Sequence, residues 1–302
     1  MKLLAIFFVF FISNNLNASE KLISLSFDDA PRSDSWRFKG EKRAEILIEA
    51  LKKANVSQTI FYANPGKITT PEGLERLKKY QRAGHLIGNH TFTHPWAKKV
   101  TVKEYIEDFE KAHEHLQKHN LLSKYFRYPF LDRGKTWREI KEVHKHIMSR
   151  GYIDGYVTVD NWDWHMDSLL QKALSQKKAI DYKQLGNFYV DTIMESVNFY
   201  YDLTLKTLKK SAPQILLLHE NDLAALYIPK LVERLRSEGW KIISPTESYT
   251  VQELTPLPKT TVHGQGRIVA LAASRGESGK LNSGFEDYEI LNRRFKSYKV
   301  IK

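Results

Sequence analysis

The sequence predicts a parallel α/β architecture, as a barrel or an open doubly wound sheet, and three observations carry that reading. Short apolar runs of strand length alternate with segments of helical periodicity about seven times along the chain. Glycines stand just past the ends of three of those helical segments, where a left-handed residue closes a helix. No glycine-rich phosphate loop follows any strand, which argues against a nucleotide-binding version of the fold.

The strand-like runs are Leu22–Phe27, Gln58–Tyr62, His85–Gly88, Tyr125–Tyr128, Tyr156–Val159, Ile215–Leu218 and Lys241–Ile243. The helical segments between them are Glu41–Ala54, Pro71–Ala83, Lys103–His119, Thr136–Arg150 and Leu223–Glu238. Ile46, Leu47, Ala50 and Leu51 show the spacing of an apolar helix stripe. Gly84, Gly151 and Gly239 are the three closing glycines. Two segments break the rhythm. Residues 165–213 read as a mostly helical insertion, with one or two amphipathic helices over Tyr189–Leu208. Residues 259–302 are glycine-containing and basic, with nine Lys/Arg against four Asp/Glu, and read as a C-terminal extension of a domain running from residue 19 to 258.

A hydrophobic content of 42% with 12% aromatics is enough for a sizeable core, so the chain is globular and not disordered. It has no cysteine, which excludes disulfides, thiolate metal sites and a lipid-modified N-terminal cysteine; any metal must sit on imidazole and carboxylate. The formal charge is +12, but Lys and Arg are dispersed among acids and no nucleic-acid motif is present, so no nucleic-acid partner is expected. Met1–Ala18 reads as a secretory signal: Lys2, the apolar run Leu3–Ile12, polar Asn14–Asn17 and small Ala18. The run is too short to span a bilayer comfortably, since spanning takes roughly 20 residues. The expectation is therefore cleavage after Ala18, a secreted or periplasmic product with no stable membrane insertion, and a monomer.

In parallel α/β folds the reactive groups lie at the C-terminal ends of strands. Five of the seven expected strand ends carry ionisable side chains. Strand one ends in Asp28-Asp29, strand three runs into His90-Thr91-Phe92-Thr93-His94, and strand four ends in Arg127-Tyr128-Pro129. Strand five ends in Asp160-Asn161-Trp162-Asp163-Trp164 and strand six in His219. Adjacent carboxylates suit a solvated loop or a helix cap, and they also permit divided labour, one held ionised by a cation and the other taking protons. His90 and His94, four apart, would present two imidazoles from one face of a helical turn, the spacing that chelates a divalent metal once an aspartate serves as third ligand. Two imidazoles and one carboxylate leave coordination positions open, as a catalytic metal requires. Arg127 could orient a carboxylate, and His219 beside Asp163 could be held protonated as a general acid. Trp162 and Trp164 suit rim packing or an aromatic wall for a sugar or an acetyl methyl.

Ser26-Phe27-Asp28-Asp29-Ala30-Pro31, His90-Thr91-Phe92-Thr93-His94, Arg127-Tyr128-Pro129-Phe130, Asp160-x-x-Asp163-Trp164 and Leu217-Leu218-His219 occur in this order. Together they resemble the five motifs of the polysaccharide deacetylase family (NodB homology, carbohydrate esterase family four), over roughly Leu22 to Thr250. The resemblance implies a distorted (β/α)7 barrel and a divalent metal, usually zinc with cobalt, nickel or manganese as alternatives, held by Asp29, His90 and His94. It implies Asp28 as catalytic base steadied by Arg127, His219 as acid tuned by Asp163, and the Phe130 backbone N–H as oxyanion donor. Tyr128, Pro129, Trp164 and Leu217 are then the substrate-binding positions. Three residues depart from the pattern: Ala30 and Leu131 stand where the family commonly has glycine, and Phe130 replaces a tyrosine.

The expected activity is removal of N-acetyl groups from an N-acetylglucosamine polysaccharide, with peptidoglycan as the expected polymer. Chitin or poly-N-acetylglucosamine is the alternative substrate, and acetyl esters of the xylan type the alternative bond. The expectation outside catalysis is a glycan-binding module on an inactive scaffold.

Overall fold

The computed structural model describes residues 20–277, 281 and 283–302, so the leader expected over Met1–Ala18 lies outside the described residues. The element order is β1 (Lys21–Ala30), α1 (Gly40–Lys53), β2 (Ile60–Ala63), α2 (Pro71–Arg82), β3 (Leu86–Asn89), α3 (Val102–Lys118), β4 (Leu122–Phe126), α4 (Trp137–Ser149), β5 (Ile153–Asp154), α5 (Asp163–Ser175), α6 (Tyr182–Leu208), β6 (Gln214–His219), α7 (Asp222–Ser237), β7 (Trp240–Ile242), α8 (Pro245–Ser248), α9 (Gly266–Ser274) and α10 (Tyr288–Ser297). The strands form one parallel sheet in the order β5-β4-β3-β2-β1-β6, and β7 pairs the start of β1. The sheet curls on itself: after β5 the chain returns to β6 through the bridge Val159↔Leu216. A curled, nearly closed α/β barrel is therefore the fold, as expected.

The five helices read from periodicity fall within a residue of their expected ends. Gly84, Gly151 and Gly239 close three of them at φ of 91°, 76° and 84°. Thr101 with Glu104 and Thr136 with Glu139 form reciprocal capping boxes that start α3 and α4.

Side chains of β1 alternate as a strand buried on both faces should. Ile23, Leu25 and Phe27 join the main core with Leu47 and Leu51 of α1 and Leu231 of α7. Ser24, Ser26 and Asp28 occupy the alternate positions and are buried too. A second cluster, which includes Ile60, Tyr62, Tyr125, Tyr156, Ile215 and Tyr249, packs separately from the main core.

Two expectations change. Tyr156–Val159 is not the fifth strand; β5 is the two-residue Ile153–Asp154, and Tyr156–Val159 touches the sheet only through the Val159 bridge. Its apolar alternation reflects burial, which a strand and an extended closing segment share. Strand one does not stop before Asp28 but continues through Ala30, with a register shift between Phe27 and Ala30.

The insertion and the tail are both packed against the barrel. α6 is a single 27-residue helix with Leu185, Phe188, Tyr189, Ile193, Val197 and Tyr200 fully buried. From residues 259–302, Val269, Phe285, Leu291, Phe295 and Val300 enter the same core. No helix among the described residues is long and apolar enough to cross a membrane.

Phe188 stands edge-on to Phe295, their centroids 5.7 Å apart, so it joins insertion to tail. Phe188→Ala is expected to lower the unfolding free energy by about 3–5 kcal/mol, measured by denaturant titration; a loss below about 1 kcal/mol would show that α6 packs loosely.

Candidate metal and catalytic site

Regular strand geometry would send Asp28 and Asp29 to opposite faces of the sheet. The irregularity in β1 prevents this. Phe27 pairs with Phe61 and Ala30 with Ala63, so two residues on β1 span what one spans on β2, and Asp29 takes φ 70°. Both carboxylates consequently reach the same end of the barrel: Asp28 meets Arg127, and Asp29 meets His94.

Asp29, His90 and His94 form the one group of metal-ligating side chains among the described residues, each offering an atom within 4.8 Å of the others. Asp29 Oδ1 and His94 Nε2 are 3.3 Å apart. Two ligands at about 2.1 Å from one tetrahedral ion would sit about 3.4 Å apart, so this pair already has the required spacing. His90 donates from Nδ1 to the Arg127 carbonyl at 2.7 Å, which leaves Nε2 with a lone pair. Burial pushes both imidazoles down to about 3, and the Asp29 charge recovers only part of that. Burial alone would raise Asp29, but Lys67 and the neighbouring imidazoles more than reverse it and hold the carboxyl well below the usual range. Neutral imidazoles and an ionised carboxylate are the protonation states a divalent cation needs, so the donor set fits one. Asp29 Oδ1 also accepts from Lys67 Nζ at 3.1 Å.

The two histidines do not share a helical turn, as their spacing implied. Residues 90–94 form a loop in which Thr91 and His94 take φ of 64° and 63°. Asn64 donates to the His90 carbonyl, Asn89 Oδ1 accepts from the Thr91 N–H at 2.8 Å, and Asp108 accepts from the Phe92 and Thr93 N–H groups at 2.7 and 2.9 Å. These three residues brace the loop, and no local motif announced them.

Asp28 is buried beside this group, 3.7 Å from His90 Nε2. Arg127 donates from Nη1 to Asp28 Oδ1 at 2.6 Å and to Ser26 Oγ at 2.9 Å, from Nε to the Gly155 carbonyl at 2.8 Å, and from Nη2 to Tyr249 Oη at 3.0 Å. Its guanidinium lies 4.0 Å from the centroid of Tyr62. Burial raises the Asp28 carboxyl, and Arg127 offsets that only in part. Tyr249, Tyr62 and Gly155 are thus further parts of the site that motif reading missed, and Ser26, which opens the first motif, gains a role as a partner of Arg127; an arginine that fully buried signals that such partners must exist.

His219 is the β6 partner of Asp28 in the sheet register. Its Nδ1 donates to Asp163 Oδ1 at 2.6 Å and its backbone N–H to Asp163 Oδ2 at 2.9 Å. Burial disfavours the imidazolium, but Asp163 outweighs it and the imidazole titrates above its ordinary value. Asn221 and Asn161 complete the arrangement: Asn221 Nδ2 donates to Asp163 Oδ2 at 2.9 Å, and Asn161 Oδ1 accepts from the Asp163 N–H at 3.0 Å.

The positions expected to contact substrate separate. Phe130, at φ 56°, is 41% exposed and packs against His94 at 4.4 Å and Trp96 at 4.3 Å between centroids. Tyr128 does not reach the rim: it is buried with Tyr105, Phe109 and Phe126. Pro129 and Leu217 are buried as well. Leu217 lies within β6, where its carbonyl accepts from Asn161. Trp164 faces the tail, with Trp162 and Tyr288 at 5.6 and 5.8 Å. Ala30 is not left-handed, so the loss of a glycine there costs nothing, whereas Leu131 takes φ 51°, a conformation that favours glycine.

The arrangement brings a buried carboxylate, an imidazole held by Asp163 and three metal-type ligands to one end of a barrel. The model of the family described as Polysaccharide deacetylase matches residues 15–146, which include the first three motifs. A peptidoglycan-N-acetylglucosamine deacetylase of Bacillus cereus is 28% identical over 142 residues, covering 47% of this chain and 46% of that protein, so the chain spans under half the length of that relative. The chitin deacetylase of Colletotrichum lindemuthianum superposes with a TM-score of 0.53 at 18% identity, over 78% of this chain and 91% of that one. A CE4 family pseudoenzyme from Bacillus anthracis superposes equally well, with a TM-score of 0.53 at 18% identity over 76% and 66% of the two chains. These structures share the fold, and the family model bears out the resemblance over the residues that carry the first three motifs.

A Cβ on Gly155 would lie 2.2 Å from Tyr62 Oη and 2.8 Å from the Phe126 carbonyl. Gly155→Ala is therefore expected to push the peptide that receives Arg127 Nε out of place and to lower the unfolding free energy by about 1–3 kcal/mol, measured by denaturant titration; an unchanged unfolding free energy would mean that this peptide is not held.

Proposed function

We propose that this chain, whose residues 15–146 match the polysaccharide deacetylase family, is a secreted, divalent-metal-dependent hydrolase that removes N-acetyl groups from N-acetylglucosamine units, with peptidoglycan as its polymer. One observation carries the reading: the carboxylate of Asp28 and the imidazole of His219, neighbours in the sheet register, flank the Asp29, His90 and His94 donors. The similarity to the Bacillus cereus enzyme supports the substrate, the donor set supports the metal, and the apolar run Leu3–Ile12 ahead of Ala18 supports export.

Asp29, His90 and His94 would hold the cation, zinc being the metal that the family resemblance implies. When bound there, such a cation supplies a Lewis acid for the acetyl carbonyl and lowers the pKa of water toward about 7. The chain's own residues do the rest. Asp28 accepts the proton of the attacking water, and Arg127 fixes which oxygen is turned to it. The Phe130 backbone N–H, aimed by a left-handed residue, meets the developing oxyanion. His219 gives its proton to the departing amine, and Asp163 keeps it charged until then. Phe130 and Trp96 form an apolar wall next to His94.

Asp28→Asn and His219→Ala are each expected to lower turnover by about 10²–10⁴-fold, while mass spectrometry finds the metal content of wild type. Near-normal turnover in either variant removes that residue from its role. Activity should rise as Asp28 ionises and fall as His219 loses its proton. Asp163→Asn takes away the charge that favours the imidazolium, so the alkaline limb should move to lower pH; a limb that stays put contradicts the assignment. The substrate is tested by scoring free amines on intact peptidoglycan and chitin oligomers, and acetate released from acetylated xylan. Activity confined to xylan would replace the amide reading with an ester one.

A further inference from the structure

A cleft of about 400 Å³ leads away from the candidate site, lined among others by Asp29, Lys67, Arg32, Ser33, Gln171 and Trp36. Trp36 is 70% exposed, the most exposed large hydrophobic side chain among the described residues. A free indole on a mobile loop would carry little meaning, but this loop is held on every side. The Trp36 backbone N–H donates to Gln171 Oε1 at 3.0 Å, Ser35 Oγ donates to Asp222 Oδ2 at 2.6 Å, and the Gly40 N–H donates to Asp34 Oδ1 at 2.8 Å. The Arg32 N–H donates to Glu220 Oε2 at 2.6 Å, while Arg43 Nη2 and Arg76 Nη1 donate to the carbonyls of Ser33 and Arg32 at 3.0 and 2.7 Å.

Four of those six contacts, the ones to Arg32, Ser33 and Ser35, come from a buried ionic cluster, Arg43 and Arg76 with Glu220 and Asp222, none of which touches the metal-type ligands. Burying four charges costs more than an apolar packing of the same volume, so stability alone does not account for the cluster. Its outer hydrogen bonds go to the loop that carries Trp36. The cluster therefore holds an apolar ring in water beside the reacting end of the barrel, as binding sites for amphipathic ligands require.

We propose that Trp36 is a stacking platform for the sugar next to the one being deacetylated, so that the glycan strand runs from Asp29 along this cleft. This rests on the deacetylase reading for the identity of the strand. A pyranose ring offers one face of C–H groups to an indole, and its hydroxyls and acetamido groups suit Arg32, Ser33, Lys67 and Gln171 on the cleft walls. An aromatic contact of this kind acts on the bound strand equally before and during reaction, so it sets KM and not kcat.

The test uses the N-acetylglucosamine tetramer as probe. Calorimetry on the full chain with chelator present measures binding without turnover, and amine release by the metal-loaded protein measures KM and kcat. Trp36→Ala is expected to weaken binding and raise KM about tenfold, with Trp36→Phe recovering most of both. Wild-type binding should also shift the indole fluorescence, and Trp36→Phe should reduce that shift. Equal affinity in wild type and Trp36→Ala, or no binding by wild type, overturns the platform. Binding that depends on Trp36 with no amine released by wild type would keep the platform and sink the deacetylase chemistry; amine release whose KM ignores Trp36 would do the reverse.

Discussion

The guanidinium of Arg127 is the interaction on which the interior of this barrel turns. It comes from the end of β4, lies under the ring of Tyr62 from β2, and bonds Ser26 and Asp28 of β1, the Gly155 carbonyl after β5 and Tyr249 after β7. A buried cation is expensive to keep, and removing one partner leaves a charge that water cannot reach. Every strand end that contributes a donor or acceptor is thereby tied to the others. The carboxylate of Asp28 gains a fixed orientation from the same bonds that close the barrel interior, so holding the fold and aiming the proposed base are one set of contacts.

Backbone strain is distributed in the same economical way. Five non-glycine residues with positive φ, Asp29, Thr91, His94, Phe130 and Leu131, all belong to or adjoin the motifs that meet at the rim. The others, Asn55, Asn120, Lys177, Lys209 and Lys299, stand just beyond helix ends, where a left-handed residue is ordinary. A phenylalanine and a leucine in that region each cost of the order of 1 kcal/mol or more, which persists only where the surroundings over-determine the conformation. At Asp29 the strain turns a second carboxylate toward the first; at Thr91 and His94 it folds a loop that brings two imidazoles together without a helix.

The insertion and the tail matter to the site through the fourth motif. The Trp162 backbone N–H donates to the Phe285 carbonyl, and Tyr200 of α6 donates to Glu286, while Trp162 packs tilted and Trp164 edge-on against Tyr288. Residues far along the chain therefore hold the short loop that begins α5 with Asp163. Asp160, buried in that loop near Glu286, has its carboxyl raised well above the usual range by burial and by that neighbouring acid. The segments outside the regular strand–helix rhythm are the ones that brace the partner of His219.

Patterning in the sequence determined the class of fold, the ends of five helices, six of the seven strands, and the meeting of Asp28, Asp29, His90, His94, Arg127, Asp163 and His219 at their ends. These follow from local rules: periodicity of burial, capping chemistry, and the delivery of strand C-termini to one side of a parallel sheet. Tertiary structure decided what depends on a neighbour distant in sequence. Tyr156–Val159 carries the alternation of a strand but ends as a closing segment, because its pairing is set by β6 and not by its own residues. His90 and His94 have helical spacing but lie in a loop, because Asn64, Asn89 and Asp108 supply the bonds a helix would have supplied. Tyr128 looks like a rim residue by position, yet turns into a pocket that only the packing of α3 and α4 creates. Tyr249, Trp36 and the ionic cluster beneath it have no motif at all: a hydrogen bond between residues more than a hundred positions apart leaves no local pattern, and only the folded chain brings its two ends together.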